Sequence, residues 1–236
     1  SLPSLKAPFV FSCFNHTIFD MQVLTHELGH AFAGYMAMRS QPISDYYSET
    51  TDIAEIHSMS MEQFAYPYAQ WFFGDQADKF RFAHLQEALT FVPFGVAVDE
   101  FQHICYADPQ LTPKERTYQW RLLEEKYMPW RRYDNDAFME RGGYWYHKLH
   151  IYLYPFYYIN YTLTTMGAME FKKKYAEDKA AAWQDYLKLC KTGGSRSYLE
   201  TLRYANLANP FEAGSVARAC GYAEDILLRQ LAEQEK

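Results

Sequence analysis

The chain has 236 residues, of which 49% are hydrophobic and 22% charged, and its formal net charge at pH 7 is −6. This length allows a substantial buried core without disulfides or a structural metal, so a bound metal is expected to be functional. The negative charge disfavours nonspecific nucleic-acid binding, and no run approaches the roughly 18 apolar residues that a membrane span needs. We therefore expect a globular protein with neither nucleic acid nor membrane as a partner.

The cysteines are widely separated and include no Cys-x-x-Cys pair; they are Cys13, Cys105, Cys190 and Cys220. This pattern argues against a zinc ribbon or a disulfide framework and favours free thiols in the cytoplasm. The first six residues lack the basic patch and apolar core of a signal peptide. Their abrupt start leads us to expect a fragment of a longer chain.

Residues 7–14 are aromatic and β-branched and end at Asn15-His16-Thr17, which predicts one strand followed by a turn. From Asp20 onward, apolar residues recur at spacings of three and four, as on an amphipathic helix, and Asp20 is the expected cap of this helix.

Helical patterns continue along the rest of the chain, with a break or kink expected at Pro93-Phe94-Gly95. The predicted helices are at about 51–73, 76–106, 112–128, 134–140, 144–171, 175–191, 195–204 and 215–235. No repeat, linker or change in composition divides the chain. We predict one domain over residues 1–236, mainly α, with a minimal β-strand element next to the first helix.

The first predicted helix carries the sequence His26-Glu27-Leu28-Gly29-His30, an HExxH motif. Because the histidines are four residues apart, their imidazoles lie on one face of the helix and can converge on one ion, with Glu27 beside it. A catalytic zinc site uses three protein ligands and leaves the fourth position for water. A third ligand is therefore expected further along the chain. Ordinary helix residues that match the motif by chance are the alternative.

The third ligand is sought among the residues that follow the motif. A metzincin site is excluded, because Met36 stands where that pattern requires a histidine. Asp52, Glu55 and Glu62 are spaced by three and seven residues, which places three acids on one stripe of the next helix. We predict that Glu55 is the third ligand.

Together, these features resemble the M3 family of zinc peptidases, the thimet oligopeptidase and oligoendopeptidase F group, and most closely its oligoendopeptidase F branch. The segments that carry the resemblance are Pro8-Phe9-Val10-Phe11, Leu24 to Phe32, Asp52 to Glu62, His150 with Pro155 to Tyr158, and Asn209-Pro210-Phe211. The resemblance implies a multi-helix zincin-type catalytic domain that lacks the family's N-terminal helical lobe, the other wall of the substrate channel.

The resemblance also implies the roles of the site residues. His26, His30 and Glu55 would bind one Zn²⁺ ion, while Asp52 and Glu62 would orient the ligand imidazoles. Glu27 would be the general base that takes a proton from a zinc-activated water. The expected activity is that of an endopeptidase cutting short unstructured oligopeptides.

The family's donors to the transition state are a histidine and tyrosines on a later helix. The histidine corresponds to His150, and we choose Tyr157 and Tyr161, one helical turn apart, as the tyrosines. Tyr154 and Tyr158 crowd the same segment and stay open as alternatives.

Two other functions share part of this pattern. A silent module could bind peptides without cutting them; Glu27 argues against this for the full protein, whereas the isolated fragment could be inactive through the missing lobe. A zinc hydrolase of non-peptide amides would use the same metal chemistry and is disfavoured only by the family resemblance.

Overall fold

The computed structural model describes residues 2–234 and is mainly helical, as predicted from the sequence. The helices, in chain order, are α1 (Phe19–Ser40), α2 (Thr51–Phe64), α3 (Ala69–Phe73), α4 (Ala77–Ala107), α5 (Pro113–Tyr127), α6 (Ala137–Glu140), α7 (Leu149–Leu153), α8 (Ile159–Glu177), α9 (Lys179–Thr192), α10 (Tyr198–Tyr204) and α11 (Ser215–Gln234). No helix of this part of the chain has both the length and the apolar character needed to cross a membrane.

The strand predicted over residues 7–14 is absent. Residues 8–14 have no regular secondary structure, and the β pairing within residues 2–234 is one isolated antiparallel bridge between Leu2 and Ala7. A strand needs a neighbour to satisfy its backbone groups, and the described residues place none beside this segment. The strand prediction is therefore wrong, and the minimal β element is reduced to that bridge.

Two predicted helices are interrupted, each at a proline. The helix expected over 51–73 ends at Phe64, and a short 3₁₀ turn that includes Pro67 leads into α3. The helix expected over 144–171 is divided between α7 and α8. There Phe156, directly after Pro155, has a left-handed φ of 61°, and its N–H donates a 2.8 Å hydrogen bond to the side chain of Gln102.

By contrast, Pro93 does not break its helix, because α4 continues through it to Ala107. The residues around it are buried: Val92, Phe94 and Ala97 each expose 6% or less of their surface. Burial of such side chains contributes about 1.5–3 kcal/mol for each large residue, enough to offset one lost backbone hydrogen bond.

The chain divides into two compact units. The first contains the residues up to Glu87 and those from Leu163 onward, and in it α1 packs against α2 and α9. Its core is Ala33, Ile53, Ile56, Phe64, Phe171, Tyr186, Leu189, Cys190, Leu202, Ala205 and Leu207. The second unit, Ala88–Thr162, has its own core of Phe94, Ala97, Val98, Phe101, Trp120, Leu123, Met128, Trp145 and Tyr158.

Candidate metal centre

The HExxH motif lies in the middle of α1, as its apolar spacing predicts. His26 and His30 are one helical turn apart, and their ring centroids are separated by 4.9 Å. Asp20 does not cap this helix: it lies in the first turn, where its carboxylate accepts hydrogen bonds from the N–H groups of Asn15 and His16. It therefore orders the turn that leads into the helix.

Gly29 allows α1 to lie directly against α2. A Cβ atom at this position would be 2.6 Å from the Cα atom of Ser58 and 2.8 Å from the carbonyl oxygen of His57. Side-chain carbons do not approach other atoms so closely, so only glycine permits this backbone contact. The contact brings the acids of α2 within reach of the two histidines.

The predicted ligands come together at this contact between helices. His26, His30 and Glu55 each present one nitrogen or oxygen atom, and these atoms all lie within 4.8 Å of one another. The Oε2 atom of Glu55 is 3.1 Å from Nε2 of His26 and 3.5 Å from Nε2 of His30. Two imidazoles and one carboxylate form a ligand set that suits a catalytic zinc ion.

The two acids predicted to orient the imidazoles have different surroundings. Glu62 accepts a 2.6 Å hydrogen bond from Nδ1 of His26, which leaves Nε2 of that ring directed toward Glu55. Asp52 instead accepts a hydrogen bond from the hydroxyl of Thr50 at the start of α2. The structure thus places Glu62, rather than Asp52, in contact with His26 of the predicted ligand set.

Two residues that sequence reasoning missed lie behind Glu62. Nε2 of His84, on α4, is 2.6 Å from the second oxygen of Glu62, and Nδ1 of His84 is 2.7 Å from the hydroxyl of Tyr66. No spacing rule connects these residues with the motif. A buried histidine is uncommon and would be a candidate site residue, but the sequence does not show that His84 is buried. The helix that carries it has apolar residues on several sides, so its buried face cannot be identified from their spacing.

Negative charge accumulates at this centre. Burial alone would lower the pKa of His26, but hydrogen bonds and charges from Glu55 and Glu62 outweigh burial and raise this pKa to about 10. Burial would raise the pKa of Glu55, yet its hydrogen bonds with His26 and His30 hold it below the ordinary value. Burial would likewise raise the pKa of Glu62, but its hydrogen bonds with His26 and His84 hold it below the ordinary value, so both carboxylates stay ionised and favour a cation between them.

A cleft of about 320 Å³ opens beside the ligands. Glu27 and His30 line it from α1, and Pro8 and Phe9 line it from the irregular segment that precedes the helix. The carboxylate of Glu27 is thus accessible from the same cleft as a ligand histidine. Such a position suits a group that exchanges protons with a molecule bound there.

His150, in the second unit, lies among tyrosines. Its ring stacks on that of Tyr157 with centroids 6.2 Å apart, and it meets the edge of Tyr161 at 6.0 Å. Tyr158 also contacts His150 but is buried in the core of the second unit, where burial raises its pKa to about 12. Tyr154 is mostly exposed. Burial thus favours core packing as the role of Tyr158, while Tyr157 and Tyr161 flank the histidine.

Comparisons with known proteins agree on one family. Residues 3–220 match the model described as Peptidase family M3. An oligoendopeptidase F homolog from Borreliella burgdorferi is 26% identical over 198 residues, which are 80% of this chain and 32% of that relative.

Solved structures show the same relationship. PZ peptidase A, solved with an inhibitor, is 48% identical with a TM-score of 0.88, over 97% of this chain and 40% of that protein. A Bacillus anthracis structure that bears the name oligoendopeptidase F is 43% identical with a TM-score of 0.78, over 95% of this chain and 37% of its own. The chain therefore spans about a third to two fifths of the length of these relatives.

Proposed function

Because the chain belongs to peptidase family M3, we propose that it holds one zinc ion and hydrolyses peptide bonds in short unstructured oligopeptides. The observation that carries this proposal is the convergence of His26, His30 and Glu55 within 4.8 Å. The membership and the ligand set support each other, since a chance HExxH match would not bring a third ligand to the same point.

His26, His30 and Glu55 would hold the ion through two ring nitrogens and one carboxylate oxygen. When bound, zinc would supply Lewis-acid chemistry, activating water and polarising the scissile carbonyl. Three protein ligands leave a position for exchangeable ligands, which is the arrangement of catalytic rather than structural zinc. Glu62 would fix the orientation of the His26 ring through Nδ1.

Glu27 would act as the general base. Its carboxylate lines the same cleft as His30, so it can take a proton from a water molecule there and deliver it to the leaving amine. The residue belongs to the helix that also carries two ligands, so its position relative to them is fixed by the backbone.

His150 with Tyr157 and Tyr161 would stabilise the oxyanion that develops on the scissile carbonyl. An imidazole N–H and phenol hydroxyls are donors suited to this task. The ring contacts among these three side chains support a common role for them.

The substrates would be peptides in extended conformation, and a cleft of about 320 Å³ offers room for a short segment of such a peptide. Pro8 and Phe9 form part of the cleft wall, so the irregular segment 8–14 is a candidate contact for the peptide. An N-terminal lobe outside these residues, a single domain over residues 1–236 and a cytoplasmic location stay predictions. The four free cysteines support the cytoplasmic location.

Metal analysis combined with a mass-spectrometric cleavage map of a mixed peptide library tests the proposal. We expect one zinc ion per chain and internal cuts in short peptides that stop when the zinc is removed by a chelator. Cleavage that continues in metal-free protein, or release of single terminal residues only, would contradict the proposal.

A further inference from the structure

We infer that His84 and Tyr66 are positioning residues for the metal centre, acting through Glu62 on the orientation of the His26 ring. This inference rests on the proposed zinc site and names residues that its ligand set does not include. It follows from an unbroken chain of three short hydrogen bonds that begins at a ligand.

The chain of hydrogen bonds uses both oxygens of Glu62. Oε1 contacts Nδ1 of His26 at 2.6 Å, and Oε2 contacts Nε2 of His84 at 2.6 Å. A carboxylate held at both oxygens cannot rotate about its own axis without breaking one of the bonds. Glu62 can therefore fix the orientation of the His26 ring only if His84 fixes the orientation of Glu62.

The proton positions are consistent along the chain. If Nε2 of His26 faces the metal ligand set, its Nδ1 carries the proton and donates it to Glu62. Glu62 then accepts from Nε2–H of His84, so Nδ1 of a neutral His84 accepts from the hydroxyl of Tyr66 at 2.7 Å. Burial raises the pKa of Tyr66 far above its ordinary value, which keeps its hydroxyl protonated as a donor. Tyr66 thus selects the tautomer of His84 that Glu62 needs.

The surroundings hold the two residues in place. Glu62 and His84 each expose 7% of their surface and Tyr66 exposes 8%, so water competes little for these bonds. The ring of Phe80 stacks on His84 with centroids 5.5 Å apart and an angle of 7° between the planes. Arg81 donates a 3.0 Å hydrogen bond to the carbonyl oxygen of Tyr66. The chain of contacts therefore ends in a buried and packed part of the first unit.

Zinc affinity by chelator competition, with the visible spectrum of the cobalt-substituted protein, tests the inference on the 236-residue chain. The variants are His84→Leu, His84→Gln, which keeps an N–H donor for Glu62, and Tyr66→Phe. Tyr186→Phe is the matched control, because its buried hydroxyl donates a 2.9 Å hydrogen bond to the carbonyl of His57 on α2, outside the chain of contacts.

We expect His84→Leu to weaken zinc binding about 10- to 100-fold and to shift the cobalt bands, with affinity restored to within about threefold in His84→Gln. Tyr66→Phe should weaken zinc binding more than Tyr186→Phe. If His84→Leu fails to fold, the zinc affinities of Tyr66→Phe and Tyr186→Phe alone test the inference.

The inference is overturned if Tyr66→Phe binds zinc like Tyr186→Phe and His84→Leu, where folded, keeps the wild-type affinity and spectrum. Lower melting temperatures with unchanged zinc affinity would then assign these residues to packing alone. A wild-type chain that binds no zinc would overturn the proposed function itself, and this result is visible before any variant is made.

Discussion

The hydroxyl of Ser58 donates a 2.9 Å hydrogen bond to Oε2 of Glu55, the same oxygen atom that faces His26 and His30, the two histidines proposed as zinc ligands. The same hydroxyl also donates to the backbone carbonyl oxygen of Glu55 at 3.1 Å, so Ser58 contacts both the backbone and the side-chain carboxylate of Glu55. This contact fixes the rotamer of Glu55. Glu55 lies one helical turn before Ser58, where α1 and α2 touch at Gly29.

Ser58→Ala is therefore expected to weaken zinc binding about tenfold, because Glu55 loses the group that orients it. Ser60→Ala is the matched control: this hydroxyl is equally buried on the same helix and has no hydrogen-bond partner among the described residues. Zinc titration of both variants checks the prediction. Equal affinities in the two variants would show that Ser58 does not orient the ligand.

Gly29→Ala is expected to destabilise the fold by about 1–3 kcal/mol, because the new methyl group must push α1 away from α2. Gly34→Ala, on the same helix, meets no atom within 4 Å and should stabilise the chain by up to about 1 kcal/mol. Urea denaturation gives both values. The account of the helix contact fails if the two substitutions have effects of the same sign and size.

The variants Glu62→Gln and Asp52→Asn distinguish the roles in zinc binding of two acids that the sequence places on one face of α2. Glu62→Gln should weaken zinc binding about 10- to 100-fold, because Nδ1 of His26 loses its anionic acceptor. Asp52→Asn should leave zinc binding unchanged, since the contact of Asp52 is with Thr50. Chelator competition measures both, and a loss of affinity in Asp52→Asn would restore the role that the sequence suggested for it.

Lys172 gives a pH-dependent prediction. Burial, with a smaller contribution from the charge of Arg81, lowers its pKa from 10.5 to about 7. Because the folded-state pKa lies below the unfolded one, the penalty for charging Lys172 is fully present below about pH 7. It disappears as the pH rises toward the unfolded value.

The difference in pKa is worth about 4 kcal/mol at pH 7, so Lys172→Met should raise the stability of the fold by up to that amount. The gain is reduced by the loss of the cation–π contact between Lys172 and the Tyr66 ring, 3.6 Å from its centroid. The difference from the wild type should shrink between pH 7 and pH 10 in thermal melts. Lys173→Met, at a largely exposed position, is the control. A stability gain that does not change with pH would contradict the assigned pKa.

The sequence predicts those parts of the site that depend on spacing within a helix. His26 with His30, and Glu55 with Glu62, each lie along one helix, so their common face follows from 3.6 residues per turn. His84 and Tyr66 could not be predicted in this way, because their contacts with Glu62 depend on how the chain turns after Phe64 and packs α4 against α2. The predicted strand failed for a related reason: pairing requires a second segment, and a single run of residues does not show whether one is present.

The proposed peptidase chemistry depends most directly on Glu27, which lines the cleft with His30 but is not part of the ligand set. Zinc content and peptide cleavage should be measured on the same samples of the wild type and Glu27→Gln. We predict one zinc ion per chain in both proteins and a loss of cleavage of at least about 100-fold in the variant. Full cleavage by zinc-loaded Glu27→Gln would contradict the account.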